Sequence, residues 1–342
     1  VELGIFLSYM ASTEDQNDGL YDRMLEQGVA ADRAGFGHVW VPEHHLVQYM
    51  AAPSALMTAV QLSQHVSCRV GTAVIVLPYH QPIQLAGEIA LADQILKGRL
   101  DLGVARGAWR YEFEILGTDF DTSLQQFIEN LEAIRALLSE EEKSTSFAGD
   151  HVNFSGAYVW PRPVQKPYPP LWMATNRPIA IEDAAARGYS VLTTMWFRDD
   201  DEVAEMVEAF QRGKARANSD QEQKFGMTRY ACAVDDESEI EQRLLDIRQG
   251  HRIQVALHNF EQNADDRGVV QSLPYEDEPS LEEMESVLLV GTADTIRTKL
   301  QRLQDIGVDV VNVNTGLAPP DKAIRSIELL GEAWHELAAK TK

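Results

Sequence analysis

Four short stretches carry residue types that could do chemistry together: Glu43-His44-His45, Thr72-Ala73-Val74, Arg106-Gly107 and Thr175-Asn176. A phosphate needs a fixed cation and backbone N–H groups that approach closely, and Arg106 followed by Gly107 supplies both. The alternative is an arginine paired with one of the chain's 53 acidic residues. Thr175 could add a hydroxyl and Asn176 an amide, although each is also an ordinary loop residue. His44 and His45 are adjacent, so in extended chain they point to opposite sides. No third ligand stands at zinc spacing, and no metal is expected. One of the pair could act as an acid or base near neutral pH; otherwise both are structural. Trp109 and Trp196 could line an apolar substrate pocket or simply pack. Trp40, Trp160, Trp172 and Trp334 are assigned to core or subunit packing. His80, just before Gln81-Pro82, is assigned to capping a helix. The acidic runs Glu140-Glu141-Glu142 and Glu282-Glu283 read as solvated surface.

These stretches matter only if the fold gathers them. Apolar, β-branched runs predict strands at residues 2–7, 38–42, 69–77, 100–105, 171–174, 190–194, 226–234 and 308–313. Helical periodicity falls at 21–34, 53–65, 82–98, 123–138, 291–305 and 321–339. Strands alternating with helices imply a parallel sheet. Four such units fit in about 140 residues, so a chain of 342 has room for about eight. That favours an α/β fold of the closed (β/α)8 TIM-barrel type over an open doubly wound sheet. The first strand is followed by Ser8-Tyr9-Met10-Ala11, which lacks the glycine-rich phosphate turn of the open fold. In a barrel the C-terminal strand ends form one mouth; three of the stretches fall at such ends, and Thr72-Ala73-Val74 lies along the third strand. The regularity breaks twice within what reads as a single domain over 1–342. Residues 143–170 read as a hairpin excursion, and the polar, acidic stretch 259–285 reads as a lid.

Composition narrows the partners. The net charge is −23 and the pI near 4.7, so nucleic acid and anionic membrane are poorly matched. Cys68 and Cys232 are too few for a disulfide framework, which fits a reducing compartment. No apolar run approaches the roughly 18 residues of a spanning helix, and the first residues lack the basic start of a signal peptide. A cytoplasmic location is expected.

Several segments together resemble the bacterial luciferase-like monooxygenase family. They are Gly37-His38-Val39-Trp40-Val41-Pro42-Glu43-His44-His45, the run Val70 to Pro78, Ala92-Asp93-Gln94-Ile95-Leu96-Lys97-Gly98-Arg99, Gly103-Val104-Ala105-Arg106-Gly107 and Phe113-Glu114-Ile115-Leu116-Gly117-Thr118-Asp119. Their order and spacing over residues 1–135 carry the match, which returns at Val290-Gly291-Thr292. The resemblance implies a luciferase-like barrel that takes reduced FMN as a dissociable cosubstrate from a separate NAD(P)H flavin reductase. It implies that O2 adds to the flavin C4a carbon and that a small organic substrate is oxygenated. The family's phosphate-binding arginine matches Arg106, and its catalytic histidine matches His44. Its non-prolyl cis peptide under the flavin ring matches Ala73–Val74, and Thr175 and Asn176 fall where the family has further phosphate contacts. Luciferases carry a reactive cysteine where this chain has Ala105, which argues against light emission. A homodimer through helices near residues 55–97 is also implied. Two other readings stay open: hydride transfer with the deazaflavin F420, and non-catalytic flavin binding.

Overall fold

The computed structural model describes residues 1–7, 19–140, 142–219 and 221–340. Residues 8–11, read above for their lack of glycine, and Glu141 of the acidic run lie outside them.

Eight parallel strands close into a barrel: β1 Glu2–Phe6, β2 His38–Val41, β3 Arg69–Thr72, β4 Leu100–Ala105, β5 Leu171–Ala174, β6 Ser190–Thr194, β7 Phe225–Ala233 and β8 Val310–Asn314. Closure is made by β1, which pairs with β2 on one side and β8 on the other; Ile5 lies opposite Val39 and opposite Val313. The strands read as nearly unbroken apolar runs because both faces are covered, one by the barrel interior and one by helices. All nine residues of β7 and all five of β8 are buried. Inside the barrel the Trp40 and Trp172 rings meet edge to face at 5.2 Å, with Leu192 and Val310 beside them. Gly71 makes room for this: a Cβ there would lie 2.2 Å from the Trp40 ring.

Helices return the chain from each strand end, and local chemistry fixes where several begin. Ser54 accepts from Met57 N–H at the start of Ala55–Leu62. Asp199 and Glu202 form a reciprocal capping box at the start of Asp200–Lys214. Gln81, not His80, caps Pro82–Ile95, its side chain accepting from Gln84 N–H at 2.7 Å. This corrects the assignment of His80, whose ring is drawn away by a buried carboxylate described below. Trp334 packs as assigned, donating to Val1 O at 2.9 Å, whereas Trp160 is 77% exposed.

Three further differences from the sequence reading have local causes. The strand expected over 69–77 stops at Thr72 and resumes as Ile75–Val76, with a cis Ala73–Val74 peptide between. From Gly71 to Ile75 is four steps against three from Asp101 to Val104 on β4, a one-residue bulge at the barrel mouth. Helix Arg110–Leu116 is too short to reveal a period. The same holds within 259–285, where Phe260–Asn263 and Leu281–Val287 are helical and Val270 and Met284 are buried. The hairpin of the 143–170 excursion is present, pairing Thr145–Ala148 with Asn153–Ala157.

The N-terminal end of the barrel is closed by charge. His38 Nδ1 lies 3.1 Å from Asp101 and Nε2 lies 3.2 Å from Glu2. Arg69 also holds Asp101, and Lys224 holds Glu2 at 2.9 Å. Among the described residues no helix is long and apolar enough to cross a membrane.

Candidate active site

The opposite, C-terminal end of the barrel opens into a cavity of about 570 Å³. His44, Ala73, Val74, Arg106, Gly107, Thr175 and Asn176 all line it. They arrive from the ends of β2, β3, β4 and β5, with Phe6 from β1 and Thr228 from β7 completing the inner wall. Trp109 and Trp196 do not line it.

His44 is held from behind. Its Nδ1 lies 3.3 Å from Glu112 Oε1, and its ring packs 4.2 Å from the Trp109 ring. The Glu112 side chain is only 1% exposed. Its carboxylate also accepts from His45 N–H at 2.8 Å and from Tyr79 O–H at 3.1 Å. A carboxylate at Nδ1 favours the tautomer protonated there, which leaves Nε2 as an acceptor. Nε2 has no protein partner among the described residues.

His45 turns the other way, to Glu43. Glu43 Oε1 meets His45 Nε2 at 3.0 Å and His80 Nε2 at 2.7 Å, while Oε2 accepts from Val76 N–H at 2.8 Å. Burial works to raise the Glu43 carboxyl, but the bonds from His45, His80 and Val76 outweigh it and hold the group below the usual carboxylate range. The hydrogen bond to Glu43 raises His45 against the opposing effect of its burial. Glu43 thus ties β2 to the bulge after β3, and so fixes the cavity's His44 edge relative to Ala73–Val74. Among the described residues no group of three or more His, Cys, Asp or Glu is arranged to hold a metal.

Arg106 stands at the end of β4. Its guanidinium lies over the Phe120 ring at 4.8 Å and makes no ion pair among the described residues. Gly107 has φ 94°, and a Cβ there would meet Val76 and Phe113 at 2.8 and 2.9 Å. No side chain fits at this position, and Gly107 itself lines the cavity beside Arg106. Asn176 uses its amide to join β5 to β6: Oδ1 accepts from Thr194 N–H and Thr193 O–H, both at 2.9 Å, and Nδ2 donates to Thr194 Oγ1. Its side chain is thereby committed to shaping the rim. Thr175 N–H donates to Leu192 O at 3.0 Å, leaving its hydroxyl on the cavity wall.

Trp109 is buried in a cluster with Tyr49, Met50 and Tyr111, so it supports His44 from outside the cavity. Trp196 stacks on Tyr230 at 4.3 Å in a separate cluster. The residue the sequence reading missed is Glu112. Its signal was a lone carboxylate between Tyr111 and Phe113, where an anion is buried only if something holds it. Also missed was the outer wall of the cavity, from Leu124 to Glu132 and from Arg177 to Tyr189.

A parallel barrel whose mouth combines an unpaired cation, a close-approach glycine and a carboxylate-held histidine has the groups to hold an anionic ligand and to move a proton beside it. The chain belongs to the luciferase-like monooxygenase family, whose model matches residues 1–310. It is 32% identical to the oxygenase component of flavin-dependent trigonelline monooxygenase from Acinetobacter baylyi, over 67% of this chain and 63% of that protein. Among solved structures it superposes on the monooxygenase RslO1 from Streptomyces bottropensis with a TM-score of 0.84 at 22% identity, covering 98% and 99% of the two chains. It also superposes on an F420-dependent secondary alcohol dehydrogenase with a TM-score of 0.77 at 16% identity, covering 98% of each chain. These two likenesses concern the fold.

Proposed function

We propose that this chain is the oxygenase of a two-component system, using reduced FMN and O2 to oxygenate a small organic substrate. The observation that carries the reading is one cavity lined by Arg106 and Gly107, by the Ala73–Val74 peptide and by a His44 held by a buried carboxylate. Bound there, reduced FMN supplies the two electrons that activate dioxygen, one oxygen atom passing to substrate and the other to water. The chain's own residues do the rest. Arg106 and the Gly107 N–H hold the phosphate, with Thr175 donating a hydroxyl and Asn176 keeping the rim closed. The small side chains of Ala73 and Val74 give the ring a flat apolar seat. His44 holds or accepts a proton at Nε2 while Glu112 stabilises the charge that results. No residue of the 259–285 stretch lines the cavity as it stands, so its role as a lid requires it to swing over the mouth, where it would keep bulk water out. It touches the histidine's support, since Phe260 stacks on Tyr111 at 4.1 Å and Tyr111 on Trp109 at 6.2 Å.

A relative named as an oxygenase component supports a separate NAD(P)H flavin reductase. A homodimer is supported by apolar side chains left exposed on the two helices of residues 55–97, Met57 at 75% and Leu91 at 49%. A single barrel domain in the cytoplasm fits a chain whose two cysteines are free. The second reading, hydride transfer with F420, is favoured by the fold neighbour that uses that cofactor. Incubation of the protein with a panel of small organic substrates, a flavin reductase, NADH, FMN and 18O2 decides between them. The proposed enzyme places one labelled oxygen in its product; an F420 enzyme places none and reduces or oxidises its substrate with F420 alone.

A further inference from the structure

The turn Leu77–Tyr79 follows the bulge after β3 and leads into helix Pro82–Ile95. Helix Ser123–Ser139 holds it from one side. The buried Asn130 donates to Leu77 O at 2.7 Å and to His80 O at 3.4 Å, and Gln126 donates to Pro78 O at 3.3 Å. Two consecutive side chains then leave this turn, and each reaches a buried carboxylate of the site. Tyr79 donates to Glu112, the carboxylate behind His44. His80 Nε2 lies 2.7 Å from Glu43 Oε1 and is the donor there, because a carboxylate only accepts.

Glu43 grips the turn at both ends. Its Oε2 takes the Val76 N–H just before the turn, and its Oε1 takes the His80 ring just after it. The Glu43 side chain is only 1% exposed, so bulk water does not replace a donor that is lost. The other imidazole on Oε1, His45, stands further off at 3.0 Å. Val76 lines the cavity two residues beyond Val74. The place of the Ala73–Val74 segment relative to β2 therefore depends on Glu43 being held, and His80 makes the shorter of its two imidazole contacts. Helix Pro82–Ile95 does not need His80 for its cap, which is Gln81.

We propose, resting on the flavin reading above, that His80 is a positioning residue for the cofactor: through Glu43 it fixes the Val76 end of the bulge, and with it the seat under the flavin ring. Its signature is the part of the cofactor affected. The seat meets the ring and Arg106 meets the phosphate, so loss of His80 weakens FMN and riboflavin by the same factor. A residue that only ended the turn or supported the helix would change thermal stability and leave flavin binding in place.

Equilibrium titrations of the purified protein with oxidised FMN and with riboflavin, followed by flavin fluorescence, test this beside thermal melts. His80→Ala is expected to weaken both flavins equally, by about three- to tenfold. His80→Phe keeps a ring but no donor, and should match His80→Ala. His80→Gln keeps an N–H for Glu43 and should restore both affinities to within about twofold of wild type. Gln81→Ala removes only the helix cap, so it should lower the Tm and leave both affinities within about twofold. Unchanged flavin affinities in His80→Ala and His80→Phe overturn the proposal. So does a loss confined to FMN, or a His80→Gln variant as weak as His80→Ala. If the wild type binds neither flavin, the flavin reading has failed and the role of His80 falls with it.

Discussion

At the scale of single residues, the account separates groups that hold the cofactor from groups that act beside it. With Arg106 proposed as the phosphate's cation, Arg106→Ala should weaken FMN by about ten- to hundredfold and leave riboflavin, which has no phosphate, nearly unaffected. Equal losses of both flavins in equilibrium binding would contradict that assignment. With His44 proposed to act beside the ring, His44→Ala should lower product yield per reduced flavin far more than it lowers FMN affinity. Glu112 works through His44. Glu112→Gln keeps an oxygen for His45 N–H but loses the charge that stabilises a protonated His44. It should shift the pH profile of product yield and leave FMN affinity within about threefold. A variant that lost flavin binding and yield together would instead mark Glu112 as purely structural. Arg106, Gly107 and His44 were legible in sequence because each stands at a strand end, where residue type and position coincide. Glu112 was not legible: its role depends on a short helix folding the chain back behind β2, a contact 68 residues away. Trp109 and Trp196 were legible as mouth aromatics, but their side chains turn outward into apolar clusters that only the tertiary structure defines.

At the scale of elements, strands and long helices were readable and short elements were not. The continuous apolar runs of β7 and β8 are what a sheet covered on both faces requires. Helices of four to seven residues have no period to read, which is why Arg110–Leu116 and Phe260–Asn263 escaped notice. These two helices carry the contact between the proposed lid and the aromatic cluster that supports His44. Phe260→Ala removes the ring that stacks on Tyr111. It should raise the share of reduced flavin lost as hydrogen peroxide, measured against product formed, with little change in thermal stability. An unchanged ratio would separate the lid from the histidine's support. The cavity's outer wall along helices Ser123–Ser139 and Pro178–Ala186 was invisible to periodicity, which predicts which face of a helix is apolar and not whether a neighbour covers it.

At the scale of the whole molecule, the barrel divides its polar groups between two ends with different work. The N-terminal end is structural and should be read out as stability against pH. The bond from His38, with help from Lys224 and against the effect of burial, holds the Glu2 carboxyl at about 2, below its ordinary 4.5. Its contribution is complete above 4.5 and lost as the pH falls towards 2. Burial works to lower His38, but Asp101 and Glu2 outweigh it and raise the group above its ordinary 6.5. Its contribution is complete below 6.5 and lost as the pH rises through the elevated value. The difference in Tm between wild type and His38→Gln should therefore be larger near about pH 5.5 than near about pH 9. A difference independent of pH would remove the charged network from the account. The C-terminal end carries the proposed function, whose central claim is that the cavity holds reduced FMN and governs how that flavin meets oxygen. The most direct measurement is to mix the protein and photoreduced FMN rapidly with oxygenated buffer while recording the flavin absorbance spectrum. The account predicts a transient spectrum, distinct from reduced and oxidised FMN, that far outlives any seen with free flavin and is shortened in His44→Ala. Reoxidation indistinguishable from that of free FMN at saturating protein would contradict it.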